Sequence, residues 1–366
     1  MVFFLCTSSK NGMIRMTYQE GSGDLATSNK TTNTMKFLVK VLILLLFLAF
    51  IAYYLRASFG DIFQQLGQTS LRLLIIVTSL GMGYLFLEGK MLKETVAPFS
   101  QTFTTWNGMM ASCYTAFYRL ITFGTGTIFA EINFYHRKQM TVSQSVGVAI
   151  LRFIFFKIST LTIAIIALSL SFRELYATSP SFFWVLIMSI LINAALSGGL
   201  LLAALSIKLQ IGLMSLCNRF LKNEKVRAMV DRGNIQINAL RRMLHETMQN
   251  KTVLYKVYFW SIVKILAWFI IPYACLVSDY PGINVFWTIG LISFVTVIAG
   301  VIPTPAGIGS FDFAYLVVFS ALVGTVDAAS SLLLYRYATF LIPFLVGLIY
   351  VVSTNGFVKR EPKKIE

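Results

Sequence analysis

The chain contains apolar runs that are too long for any water-soluble fold. Phe37 to Leu55 carries one charge, Lys40, and Phe182 to Ile207 carries none. About 20 such residues in a helix cross the hydrocarbon core of a bilayer. Only 13% of the 366 residues are charged and 57% are hydrophobic, against about 25% and 45–50% in soluble domains. The polar residues are too few to coat a globule of this size. A transmembrane β-barrel is excluded as well, because its strands alternate apolar and polar residues and never give such runs. The chain is read as an all-α, polytopic integral membrane protein.

Lys and Arg number 31 against 15 Asp and Glu, a net charge of +16. In a soluble protein this excess points to nucleic acid. In a membrane protein it belongs to cytoplasmic loops lying against anionic lipid, so no direct nucleic-acid contact is expected. The four cysteines, Cys6, Cys113, Cys217 and Cys275, form no CxxC pair, so neither zinc nor a disulfide framework is indicated. His136 and His245 are the only histidines, both read as lying in polar loops. That inventory argues against intramembrane metal hydrolysis and against a protease or phosphatase that needs an intramembrane His. No metal or cofactor is expected.

Residues 1–34 are polar and aperiodic and read as a disordered tail, with Met13, Met16 and Met35 as alternative starts. A membrane domain over 35–354 and a cytoplasmic tail over 355–366 follow. Six spans are predicted: Phe37–Leu55, Leu71–Leu87, Val146–Leu170, Phe182–Ile207, Val253–Val277 and Leu332–Val352. Two further apolar stretches, Gly108–Ala130 and Val285–Gly324, are broken by glycine and proline, at Phe123-Gly124-Thr125-Gly126-Thr127 and at Ile302-Pro303-Thr304-Pro305-Ala306-Gly307-Ile308-Gly309-Ser310. Broken backbone at membrane depth survives only where protein or a cavity covers it, so both read as re-entrant hairpins or discontinuous helices.

Loop charge sets the topology. The loop 208–251 holds nine basic residues against three acidic ones and is placed in the cytoplasm, with Lys90, Lys93, Arg137, Lys138 and both termini. The hairpin at Gly124 must then enter from the cytoplasmic face and the one at Gly307 from the outer face. Two broken segments entering from opposite sides are the pattern of an inverted repeat.

Ionisable groups inside spans are costly and need a reason. The candidates for substrate binding are Arg119, Glu131, Arg152, Lys157, Lys264, Asp312 and Arg336, with Pro305, Gly307 and Gly309 of the second broken segment. Arg152 and Lys157 stand about 140° apart around a helix and need not share a face. Deep basic residues outnumber acidic ones, which suits an anionic substrate such as a lipid phosphate. No catalytic constellation emerges. Gly83, Gly89 and Lys90 have the wrong spacing for a phosphate loop, and Ala195-x-x-x-Gly199 is read as a helix contact within the chain.

Pro303-Thr304-Pro305-Ala306-Gly307-Ile308-Gly309-Ser310-Phe311-Asp312, with Ile121-Thr122-Phe123-Gly124-Thr125-Gly126 and Asn133 to Lys138 in the first half, resembles the membrane region of lysylphosphatidylglycerol synthases. This is the flippase half of the multiple peptide resistance factor. The resemblance covers about Phe37 to Val352. Departures are Phe123-Gly124 where Pro-Phe is common, Ala306 in place of a glycine, and Leu151-Arg152 where relatives carry Glu-Arg. The resemblance implies a multi-pass bacterial plasma-membrane protein that translocates a phospholipid such as (lysyl)phosphatidylglycerol and contributes to resistance to cationic antimicrobial peptides. Glu131 and Asp312 would meet a cationic aminoacyl group or couple to protons. The alternative is a phosphatidylglycerol lysyltransferase, or its membrane subunit working with a separate aminoacyl-tRNA-dependent transferase. The chain ends about a dozen residues after the last predicted span, so a transferase domain of its own is not expected.

Overall fold

A computed structural model describes residues 67, 69–122, 124–205, 241, 249–301 and 309–356, which all lie in one compact unit, Tyr54–Glu366. The predicted span Phe37–Leu55, the two terminal tails, nearly all of the basic loop and Pro303 to Ile308 fall outside the described residues. Ten helices are described: α1 Leu71–Val96, α2 Thr105–Ile121, α3 Thr127–Arg137, α4 Val142–Thr178, α5 Pro180–Leu205, α6 Lys251–Leu276, α7 Val285–Ala299, α8 Ser310–Val323, α9 Thr325–Arg336 and α10 Ile342–Gly356. α1, α4, α5, α6 and the continuous α9–α10 are each long and apolar enough to cross a bilayer. The chain is a multi-pass helical membrane protein.

Local sequence explains the helix boundaries. Ser70, Thr104, Thr141, Asn250 and Asn284 are N-caps whose side chains accept a backbone N–H of the first turn, and Thr141 with Gln144 forms a capping box. Between α9 and α10 the helix widens into a π turn, Tyr337–Leu341. Pro343 follows immediately; it has no N–H to donate and its ring crowds the carbonyl four residues back, and a π turn relieves that conflict. α1 runs on past the predicted end at Leu87, through Glu88, to Val96.

The broken segments are helical hairpins. In the first, α2 and α3 fold back on each other through Tyr114 and Phe134, whose ring centroids are 5.5 Å apart. Their tip is tied by Thr122, whose hydroxyl accepts the Gly126 N–H at 2.8 Å, and by Gly124 at φ +88°. The second hairpin consists of α7 and α8, and Gly324 (φ +84°) turns the chain from α8 into α9.

The two halves repeat each other with an offset of 180 positions. Ala97 N–H donates to Lys93 O as Val277 donates to Tyr273 O; Ser100 donates to Val96 as Tyr280 does to Leu276, and Gly108 to Thr104 as Thr288 does to Asn284. The exposed aromatics Trp106 and Phe286 stand at matching positions, each at the mouth of its hairpin, where interfacial aromatics sit. α1 and α6 pack antiparallel, with Tyr84 against Trp268, Glu88 against Lys264 and Lys90 over Trp260. Their C-terminal ends therefore lie at opposite faces, called here the near face (end of α1) and the far face (end of α6). The first hairpin enters from the near face and the second from the far face, as expected of an inverted repeat.

Each hairpin packs on the other half. α2 runs antiparallel to α10, with Phe117 on Phe344 and Tyr114 on Tyr350, and α7 lies along α4, with Gly290 against Ala167. Glycine allows the closest approaches, across the halves at Gly347, where a Cβ would strike the Cys113 carbonyl of α2, and within the first half between α1 and α2. A Cβ on Gly89 would strike the backbone of Thr105 and Met109, and one on Gly108 would meet the Gly89 carbonyl. The Ala195/Gly199 pair does not pack as expected: both residues are exposed, and nothing lies near a Cβ built on Gly199.

Two outcomes are expected. In a chain with Cys6 and Cys217 replaced by Ser, a membrane-impermeant maleimide labels Gln101→Cys from one side of the membrane only and Asp279→Cys from the other side only. Gly89→Leu lowers stability by about 1–3 kcal/mol or more through overpacking, whereas Gly83→Ala, where nothing lies within 4 Å, leaves the melting temperature in detergent nearly unchanged.

Candidate functional site

At the interface between the halves, four helices bring charge together out of contact with solvent. Glu88 on α1 is 1% exposed and Lys264 on α6 is 2% exposed. The Lys264 ammonium donates to Glu88 Oε2, and Arg152 Nε on α4 donates to Glu88 Oε1 at 2.7 Å. Arg152 Nη1 reaches Glu131 Oε1 on α3 at 3.0 Å, and Nη2 reaches the Ser112 hydroxyl on α2 at 3.2 Å. The Tyr135 hydroxyl donates to Glu131 at 3.1 Å. Two carboxylates face two cations, so the cluster is neutral, which is the condition under which buried charge is tolerated. Glu88, Arg152 and Lys264 lie roughly 12–20 Å from the near-face ends of their helices at about 1.5 Å per residue.

A second pair occupies the other half. Gly309 starts α8 at φ +100°, and its N–H donates to Asp312 Oδ2 at 2.9 Å. Arg336 Nε on α9 donates to Asp312 Oδ1 at 2.7 Å, and the guanidinium lies 5.1 Å over the Phe311 ring. The two pairs correspond: in each half the first acid after the broken tip binds an arginine on the helix that follows. Between them runs an aromatic column, from Tyr84 to Trp268 at 5.9 Å, on to Tyr335 at 6.1 Å and then Phe311 at 5.2 Å. Trp268 Nε1 and Tyr335 Oη are buried in this column with no hydrogen-bond partner among the described residues.

Of the residues singled out in the sequence, Glu131, Arg152 and Lys264 meet in the first cluster, and Gly309, Asp312 and Arg336 in the second centre. Pro305 and Gly307 lie outside the described residues. Arg152 and Lys157 do diverge: Lys157 Nζ donates instead to Asn193 Oδ1 on α5 at 2.6 Å, beside Gly300 at the end of α7. Asn193 in turn donates to Val297 O at 2.9 Å. Arg119 ends α2, two turns beyond Ser112 on the same face. It is exposed at the hairpin tip, within electrostatic reach of Arg152, Glu131 and Glu88, and makes no ion pair with a described residue. Glu131 and Asp312, expected to meet a cationic aminoacyl group or to couple to protons, each bind an arginine.

Sequence reasoning missed Glu88, Ser112, Tyr135 and Asn193. Glu88 fell outside because the predicted span ends at Leu87, the residue before it, although Leu85, Gly89 and Leu92 continue the buried face of α1. His136, read as a loop residue, closes the last turn of α3, where its Nδ1 lies 3.0 Å from Met140 O. Outside the spans, Tyr280 donates to Asp327 at 2.5 Å and to Val323 O at 2.8 Å. That bond to the carboxylate raises the Tyr280 phenol above its usual range.

The sequence profile described as "Lysylphosphatidylglycerol synthase TM region" matches residues 37–347. No curated protein matches the chain, and no solved structure does.

Removing one member of a buried ion pair leaves an uncompensated charge and costs about 3–5 kcal/mol. Glu88→Gln is therefore expected to lower the melting temperature in detergent sharply, and adding Lys264→Met to recover most of the loss.

Proposed function

Because this chain belongs to the family of lysylphosphatidylglycerol synthase transmembrane regions, we propose that it carries a phospholipid headgroup between the leaflets of a bacterial plasma membrane and so contributes to resistance to cationic antimicrobial peptides. One observation carries the reading. Two hairpins enter from opposite faces and each brings an acid–arginine pair to mid-depth, Glu131 with Arg152 and Asp312 with Arg336. Such a frame has two related halves that can exchange roles about a central site, as in alternating access. Acyl chains remain in lipid while the headgroup passes polar groups held inside the protein. Exposed Ile128, Phe129, Phe313 and Val317 on the returning arms α3 and α8 offer an apolar surface to those chains.

The near face carries Lys90, Lys93, Arg137, Lys138 and Lys251, and by the positive-inside rule we assign it to the cytoplasm. The C-terminal end of α10 lies on that side. Arg336 and Asp312 are each about 16 Å along their helices from the far face, by the helical rise, so the second pair lies near mid-depth.

The test is reconstitution into liposomes carrying a fluorescent phospholipid, with dithionite added outside. Protein-containing vesicles are expected to lose fluorescence beyond the outer-leaflet fraction. Asp312→Asn, which removes the charge binding Arg336, is expected to slow that loss about tenfold, in line with one charge-assisted hydrogen bond. Rates equal to empty liposomes for phosphatidylglycerol, its lysyl ester and phosphatidylcholine would sink the translocase reading.

A further inference from the structure

We infer that the aromatic column between the two charged centres binds the phosphodiester of the lipid headgroup, with Trp268 Nε1 and Tyr335 Oη as its two donors. The inference rests on the translocation reading and deepens it.

Buried donors in folded proteins are nearly always paired. Tyr315, whose ring is 6.0 Å from that of Tyr335, follows this rule and pairs with the Ser331 hydroxyl at 3.0 Å. Trp268 Nε1 and Tyr335 Oη do not: both are buried without a partner among the described residues, and Tyr335 is 1% exposed. The two exceptions belong to neighbouring rings, stacked with centroids 6.1 Å apart. Phenylalanine at 335 would keep the stack and remove the cost of an unmet hydroxyl, so the fold itself gains nothing from that oxygen.

The chemistry of the donors selects the ligand. An indole N–H only donates and cannot serve an ammonium. A phosphodiester offers acceptors alone, and phospholipids share it whether or not the headgroup is aminoacylated. Its negative charge meets cations at both ends of the column. Lys264 Nζ lies 5.9 Å over the Phe156 ring, which is 5.8 Å from that of Trp268. The Arg336 guanidinium lies 5.1 Å over Phe311, whose ring is 5.2 Å from that of Tyr335.

Both rings also stand at joints of their helices. Pro272, inside α6, has no N–H to give the Trp268 carbonyl one turn back. α9, which carries Tyr335, runs from Gly324 at φ +84° to the π turn that begins at Tyr337. Parting of the stack between Trp268 and Tyr335 opens both donors to the headgroup, and its closing restores the partition between the charged centres.

The experiment measures lipid retained by the purified protein, by mass spectrometry from mixed micelles containing equal amounts of phosphatidylglycerol, its lysyl ester and a diglucosyl diacylglycerol. The dithionite assay is run in parallel with the two phospholipids in fluorescent form. Wild type is expected to retain both phospholipids and to leave the glycolipid, which has hydroxyls but no phosphodiester. Tyr335→Phe is expected to cut retention and movement of both phospholipids about tenfold, the effect of one hydrogen bond to a charged group, with a melting temperature equal to or above wild type. Trp268→Phe should cut them similarly but with a lower melting temperature, because the smaller ring also loses stacking area.

Wild-type retention and movement with Tyr335→Phe would overturn the inference and leave the two donors to buried water. Equal retention of the glycolipid would overturn it too, as would a marked fall in melting temperature with Tyr335→Phe, which would make the hydroxyl part of the fold. Competition by excess glycerophosphoglycerol in the buffer would overturn the lipid source and assign the donors to a soluble phosphodiester. If no lipid moves but selective retention is found and lost with Tyr335→Phe, translocation fails while the site stands.

Discussion

Glu88 joins the two halves of the protein electrically. One of its oxygens binds Arg152 from the first half and the other binds Lys264 from the second, and Lys264 is sealed off from water. At the depth of these groups an unpaired charge is far more costly than a paired one, so the α1–α6 register, the angle of α4 and the position of α3 are fixed together. At the same crossing Tyr84 faces Trp268. With an offset of 180 positions Tyr84 corresponds to Lys264 and Glu88 to Trp268, so the ion pair and the aromatic stack are the same contact viewed from either half. The symmetry of the fold is broken chemically at its centre, with charge on the near-face side and stacked rings beyond it.

Much of the frame was legible in the residues. Apolar runs fix the spans, Gly124-x-Gly126 and the Pro/Gly-rich segment near Gly309 fix the breaks, and basic loops require the breaks to enter from opposite faces. The individual charged residues were also visible, because a charge in an apolar run is conspicuous. Their partners were not. Arg152 and Glu131 lie 21 positions apart, Glu88 and Lys264 176 apart, and nothing in local periodicity reveals a contact made across four helices. Glu88 was hidden because an acid at the edge of an apolar run reads as the end of a span. That reading fails wherever a partner from a distant helix neutralises the charge. The close approach at Gly89 and Gly108 was hidden for a related reason, since an isolated glycine in a helix looks like a weakness until a second backbone rests on it.

In the sequence Glu131 and Asp312 stand as single acids, with a cationic group or protons as their expected partners. In the folded protein each is the counter-ion of an arginine, and the arginines orient the returning arms of the hairpins. The pairs thus lock geometry on both sides of the aromatic column, whose rings from Tyr84 to Phe311 leave a stacked, largely apolar partition between two charged centres.

α5 contributes Asn193 to Lys157 and no described bond to either charged centre, yet it decides the sign of the whole design. The first hairpin returns the chain to the side it came from, α4 crosses once, and α5 crosses back before α6 begins. Parity does the rest: two crossings between α1 and α6 leave these helices antiparallel, while a single crossing would align them and point both hairpins the same way. A frame whose hairpins enter from opposite faces would become one in which both enter from the same face. The opposition of the two hairpins is therefore a counting property of the chain, set by whether one plain apolar helix is present.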